Sequence, residues 1–288
     1  MKVPDIFAAA KQTQFSFELL PPLKGTSIEQ LYAAIDPLLA FNPAYINITA
    51  HREQIEYKKL PNGLLEERTV RKRPGNVAIA GALQHKYGIP VVPHILCGGF
   101  SKSETEYALI ELHFLGIRNI LALRGDALKS EAFYKPHPQG HEFTSQLISQ
   151  AKNLGKGNYL DEELENSTPL DFSIGVAGYP EKHYSAPNLA HDLLMLKAKV
   201  AAGADYVVTQ MFFDNQKYFD FVNAARAIGI TVPIVPGIKP LAMKTQLERL
   251  PQIFYIDLPE DLAAEVRKAK DNPAVYQIGI EWAIAQSK

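Results

Sequence analysis

The stretch AAGADYVVTQMFF, residues 201–213, contains the change of period on which the fold turns. Gly203 closes what precedes it, because glycine accepts the left-handed backbone that ends a helix. Tyr206, Val207 and Val208 then supply the aromatic and β-branched side chains that favour a strand. Upstream, Leu189, Leu193, Leu196 and Val200 recur at i, i+4, i+7 and i+11, one face of an α-helix. The stretch therefore reads as a helix stop followed by a buried strand.

The same grammar recurs in KYGIPVVPHIL, FLGIRNILALRGD and AIGITVPIVPGI, where Gly88, Gly116 and Gly229 each precede an apolar run. Before the second of these, Tyr107, Ile110 and Phe114 lie on one face of a helix that starts at a Ser103/Glu106 capping box. Counting outward places strands at 15–20, 45–49, 91–96, 119–124, 173–179, 206–212 and 233–237. Their nearly continuous apolar character implies a parallel sheet covered on both faces. The fold expected is α/β, a single (β/α)₈ TIM barrel over residues 1–288 that lacks its eighth strand, since only helical patterns follow Ile238. A doubly wound sheet is disfavoured because no GxGxxG follows the first strand and no GxxxxGK[ST] occurs.

The chain has 288 residues, 47% of them hydrophobic, and a formal net charge of -1. That balance offers no footprint for nucleic acid. No apolar run is long enough to span a bilayer, and MKVPDIFAAAKQ is too short in apolar residues for a signal peptide, so a cytoplasmic location is expected. The one cysteine, Cys97, reads as a small buried hydrophobe. Two segments exceed what the alternation needs. KKLPNGLLEERTVRKRPG reads as a charged loop or helix start, whose Arg68, Arg71, Lys72 and Arg73 could alternatively attract an anionic group; NLGKGNYLDEELENSTPL reads as a polar surface excursion.

In FSFELLPP, residues 15–22, Phe15, Phe17 and Leu19 alternate with Ser16, Glu18 and Leu20, which puts a carboxylate on an apolar strand. The other strands also end in polar groups: Thr49, His94, Arg124-Gly125-Asp126, Tyr179 and Gln210. In a barrel these ends converge where the βα loops build the active site. The set has no metal-ligand spacing, no GxSxG elbow and no lysine within a strand, so no metal is expected and an organic cofactor with acid-base help is.

At these residues the chain resembles the methylenetetrahydrofolate reductase family of flavoprotein barrels. SFELLPP, NITAH, PHILC, ALRGD, GVAGYPEKH, DLLMLKAKVAAGAD, TQMFFD and PGIKP carry the resemblance in order. It implies reduction of 5,10-methylenetetrahydrofolate to 5-methyltetrahydrofolate, in one-carbon metabolism and methionine biosynthesis, by NADH or NADPH through bound FAD in a ping-pong cycle. It also implies that Glu18 is the general acid, with a pKa raised by an apolar barrel mouth. Asp126 resembles the catalytic aspartate beside the flavin. Gln210, Gln246 and Thr49 match substrate-binding positions. Thr49, His94, Arg124, Gly125, Asp126, Tyr179, His183, Asp192 and Lys199 match FAD contacts.

The resemblance further implies a homo-oligomer whose ligands are small molecules, with no nucleic-acid or membrane partner. An HFYTLN-like eighth strand has no counterpart in the chain, and the complete gene product is expected to contain it. Two other readings are a flavin-free barrel lyase or aldolase using Lys239 just past the seventh strand, and a non-catalytic folate-binding barrel.

Overall fold

The computed structural model describes residues 1–128, 131, 133–161 and 164–288. Helix α1 (Val3–Ala9) precedes β1 (Ser16–Leu19), and α2 (Ile28–Ile35) with a 3₁₀ turn (Asp36–Phe41) leads to β2 (Tyr45–Ile48). Strands β3 (Gln54–Lys59) and β4 (Leu65–Val70) form a hairpin. The alternation then runs α3 (Asn76–Tyr87), β5 (Val91–Leu96), α4 (Lys102–Phe114), β6 (Asn119–Leu123), α5 (Thr144–Leu154) and β7 (Ser173–Gly178). It continues through α6 (Leu189–Ala201), β8 (Tyr206–Met211), α7 (Asn215–Ala227) and β9 (Ile234–Gly237), and ends in α8 (Gln246–Phe254), α9 (Glu260–Lys268) and α10 (Asn272–Ser287).

Seven strands form one sheet in the order β1-β2-β5-β6-β7-β8-β9. The β1–β2, β2–β5, β5–β6 and β8–β9 pairs are parallel. This is the α/β alternation of a (β/α)₈ barrel without its last strand: every strand expected from the sequence is present to within one residue at each end, and only helices follow β9 among the described residues.

The chain falls into two compact units, Met1–Gly175 with Ala202–Asp205, and Val176–Ala201 with Tyr206–Lys288. In the first, β2 and β5 are buried along their whole lengths, as both-sided packing requires. Leu83 of α3, Leu109 and Leu112 of α4, and Leu147 and Leu154 of α5 are buried too. Asn119, at the start of β6, anchors the N-terminal segment by accepting the Val3 N–H at 2.9 Å and donating to the Met1 carbonyl at 3.0 Å. In the second unit, Phe213, Leu241, Leu250, Ile256, Leu262, Val266 and Val275 make a buried cluster. Gly279 of α10 belongs to that packing, because a Cβ there would stand 2.1 Å from the Leu241 carbonyl oxygen.

Two sequence expectations are corrected. The long charged segment after β2 is neither loop nor helix start at its centre: β3 and β4 pair antiparallel from Gln54↔Val70 to Lys59↔Leu65 around Asn62-Gly63, a dipeptide that favours tight hairpin turns. Its cations are matched by acids, with Arg68 on Glu66, Arg71 on Glu53 and Lys72 on Glu56. Helix α4 is capped by Ser101 and Glu104, and it buries Thr105, Leu109 and Leu112. Tyr107 and Phe114, on another face of the helix, are exposed. The described residues of the segment before β7 are mostly exposed or half-buried, as expected, and are tied together by the Ser167 and Tyr159 hydroxyls, which donate to the Gly157 and Thr168 carbonyls. Cys97 is fully buried, as expected. No helix among the described residues is long and apolar enough to cross a membrane.

Candidate active site

In the first unit, parallel register places Glu18 opposite Asn47 and Asn47 opposite Val92, so His94, two residues beyond Val92, projects from the same face as Glu18. Glu18 Oε2 lies 3.7 Å from His94 Nε2. Thr49 follows β2 directly, its backbone N–H and its hydroxyl both donating to the Leu19 carbonyl, at 3.0 and 3.3 Å. Three of the sequence-predicted residues therefore meet at the C-terminal ends of three neighbouring strands.

Burial, reinforced by nearby His51, pushes the His94 pKa down to about 3. The imidazole is neutral, so its approach to Glu18 is not an ion pair, and His94 Nε2 has no hydrogen-bond partner in the structure. Asn76, the first residue of α3, donates its side-chain amide to the His94 carbonyl and fixes the backbone there. The Glu18 side chain is 59% exposed, less enclosed than the sequence implies. His51 is also pushed down, by burial and then by Arg73, with Asp126 opposing.

Arg124, Gly125 and Asp126 follow β6, where Gly98 N–H donates to the Arg124 carbonyl at 2.9 Å. Gly125 has φ +85°, a conformation open to glycine and strained for other residues. Two residues that sequence reasoning missed organise this turn. Arg52 is nine-tenths buried, pairs with Glu131 at 3.2 Å and donates to the Asp126 carbonyl at 3.0 Å. Tyr134 lies under the Arg124 guanidinium, 4.7 Å from ring centroid to Cζ. Arg52 stands in the same NITAHRE stretch as Thr49, a legible signal; Tyr134 has none. Thr49, His94, Arg52, Arg73 and Asn76 line a cavity of about 900 Å³.

The second unit holds the other expected residues. Tyr179, just past β7, packs edge-on against His183 with centroids 4.7 Å apart. Asp192 accepts the His183 backbone N–H at 2.9 Å, and Lys199 donates to the Ala177 carbonyl at 2.7 Å while lying 5.8 Å from the Tyr179 ring. These two α6 residues are thus not solvated surface charges. Burial raises the Asp192 pKa against the opposing pull of the His183 N–H and Lys199. The Ser185 N–H donates to His183 Nδ1 at 3.2 Å, which makes Nδ1 the acceptor and puts the proton of the neutral ring on Nε2. Lys182, immediately before His183, has φ +105°, a strained value for a lysine.

Gln210 lies where the β8 register shifts between Val208 and Met211, and its Oε1 accepts the Met211 N–H. Gln246 Oε1 accepts the Ala242 and Met243 N–H groups at 2.6 and 2.9 Å, so its carbonyl builds the turn into α8. Glu181 is the acid of GYPEKH. It is buried, with a pKa raised by burial, and it accepts from Lys217 at 2.9 Å and from the Asp257 N–H at 2.8 Å. Lys239 is exposed.

The sequence model of methylenetetrahydrofolate reductase matches residues 2–288. The chain belongs to the methylenetetrahydrofolate reductase family. It is 32% identical over 287 residues to a methylenetetrahydrofolate reductase (NADH) 1 of Arabidopsis thaliana, covering 96% of this chain and 44% of that one. It is 30% identical over 244 residues to a 5,10-methylenetetrahydrofolate reductase of Pectobacterium carotovorum, covering 85% and 70%. A probable methylenetetrahydrofolate reductase (NADPH) of Caenorhabditis elegans is 30% identical over 275 residues, covering 95% and 37%. The chain thus spans about two fifths of the length of the longer relatives. Among solved structures, an uncharacterized protein from Clostridium thermocellum that binds two copies of 5-methyl-5,6,7,8-tetrahydrofolic acid superposes with a TM-score of 0.59 at 13% identity, covering 100% of this chain and 85% of that one. That likeness is one of fold.

The resemblance implies a flavin dinucleotide, and each unit taken by itself offers donors of the kind such a group uses. The first unit brings hydroxyl, imidazole and guanidinium groups on Thr49, His94 and Arg124. The second brings an aromatic face on Tyr179, an N–H donor on His183 and an ammonium on Lys199.

Proposed function

We propose that this protein reduces 5,10-methylenetetrahydrofolate to 5-methyltetrahydrofolate with hydride from NADH or NADPH, the two substrates taking turns in a ping-pong cycle at one FAD. The observation that carries this reading is the family match over residues 2–288. Thr49, His94, Arg124, Gly125, Asp126, Tyr179, His183, Asp192 and Lys199 would hold FAD, which supplies a two-electron carrier between nicotinamide and folate.

The chain's own residues supply the acid-base and electrostatic work. Glu18 donates a proton to a nitrogen of the folate five-membered ring; the bond from that nitrogen to the bridging carbon breaks, its electron pair stays on nitrogen, and the carbon becomes an iminium that accepts hydride. Asp126 places a negative charge that favours this cationic folate. Gln210 hydrogen-bonds the pterin, with Thr49 and Gln246 as further substrate contacts. The protein works in the cytoplasm as a homo-oligomer of one catalytic barrel domain.

An anaerobic absorbance titration tests the reading. NADH is expected to bleach a yellow protein, and methylenetetrahydrofolate to restore its colour. A protein that stays colourless after incubation with FAD overturns the flavin assignment. The aldolase alternative gains nothing from the structure, because Lys239 is exposed and lacks the desolvation that activates an amine.

A further inference from the structure

Among the buried polar atoms of the first unit, His94 Nε2 combines three properties: it has no hydrogen-bond partner, it lies on the site face of the sheet, and a carboxylate oxygen stands 3.7 Å away. A buried nitrogen left unsatisfied is costly, and such atoms in native structures call for a cause. The gap to Glu18 exceeds hydrogen-bond length by well under about 1 Å. Glu18 can close it by turning its side chain, which is 59% exposed, whereas His94 is held from behind by Asn76.

We propose that His94 is a positioning residue for Glu18: its Nε2 accepts a hydrogen bond from the protonated Glu18 carboxyl and so keeps that group in its acid form until substrate arrives. The pairing itself is structural; its use in catalysis rests on the folate-reductase reading above. A neutral imidazole can do this and an imidazolium cannot, because only the neutral ring has an acceptor nitrogen. His94 is neutral through burial and through His51 beside it.

The charged groups around this pair pull in opposite directions. Arg73 acts on His51 and lines the cavity, disfavouring the imidazolium there. Asp126 opposes it at the same ring. Arg52 is held by Glu131 and so adds little net charge. Beside a His51 on which a cation and an anion oppose one another, the hydrogen bond from Glu18 to His94 is the contact that favours the protonated carboxyl. After the proton leaves for substrate, the carboxylate no longer donates to Nε2, and the bond is lost until Glu18 is protonated again.

The test uses whole protein labelled with ¹⁵N-histidine, with the long-range ¹H–¹⁵N spectrum recorded from pH 5 to 9. Loss of a signal in His94→Gln assigns Nε2. The expected result is an Nε2 signal at the position of a hydrogen-bonded acceptor at low pH that moves as Glu18 ionises. In Glu18→Gln it stays at the acceptor position at every pH, because an amide N–H still donates. A signal that ignores pH in the wild type overturns the proposal.

Rates complete the test, with FAD saturating and each half-reaction followed separately. His94→Leu is expected to move the alkaline decline of folate reduction about one pH unit lower, roughly a tenfold loss above the shifted limb. His94→Gln recovers most of that loss. A His94→Leu profile that superimposes on the wild type overturns the proposal. If the histidine signal follows Glu18 but no folate is reduced by wild-type protein, the pairing stands and the folate-reductase reading falls; if folate is reduced and the signal is flat, the reverse holds.

Discussion

At the scale of single residues, Glu18 and His94 have separable consequences. Glu18→Gln removes a proton donor and keeps the side chain's size, so NADH should still bleach the bound flavin while methylenetetrahydrofolate fails to restore the colour, a loss of at least about 10²-fold in that half-reaction. Stopped-flow absorbance checks it, and folate turnover at the wild-type rate removes Glu18 from the acid role. His94 should also govern acid stability. Its folded pKa of about 3 lies below the ordinary value near 6.5, so the unfolded chain binds the proton first. Its contribution is complete above pH 6.5 and is lost as pH falls toward 3, by up to about 1.4 kcal/mol per pH unit. Urea midpoints at pH 7 and pH 5 should therefore draw together in His94→Gln relative to wild type, by roughly 2 kcal/mol or less. An unchanged gap means that the imidazole is not buried neutral.

At the scale of elements, α4 shows why one sequence admits two readings. SKSETE contains Ser101-x-x-Glu104 and Ser103-x-x-Glu106, and both satisfy the capping pattern. The helix likewise carries two apolar rows, one with Leu109 and Leu112 and one with Tyr107, Ile110 and Phe114. Only packing against the sheet chooses between them, and it buries the first. Leu109→Ala should cost about 2–5 kcal/mol in chemical denaturation, as cavity-forming changes do. Phe114→Ser, at a side chain 86% exposed, should stay within about 0.5 kcal/mol. The reverse ranking would mean that the other row faces the core. The β3/β4 hairpin was harder to read, because its strands are charged on both faces and lack the alternation that marks a half-buried strand.

At the scale of the whole molecule, the alternating strands were legible because each helix stop is a glycine and each buried strand is apolar throughout, two signals that survive without any long-range information. The residues at the strand ends were legible for the same reason. What Glu18 and His94 do to each other was not, since their approach depends on the register of β1, β2 and β5, which no local pattern records. Nor were Tyr134 under Arg124 or Glu181 under Lys217, which are brought together by loops. The cofactor assignment is likewise a statement about the whole chain, since it draws on residues from Thr49 to Lys199. A ligand that binds only the folded state at 100 times its dissociation constant stabilises it by about 2.7 kcal/mol. For a chain of this length that corresponds to a rise in melting temperature of roughly 5 °C. Differential scanning fluorimetry with FAD should show that rise, and Lys199→Ala should reduce it while leaving the melting temperature without FAD within about 2 °C. A wild-type curve that FAD does not move would leave the two α6 charges as structural ties to the His183 backbone and the Ala177 carbonyl, and would remove the flavin from the proposed reaction.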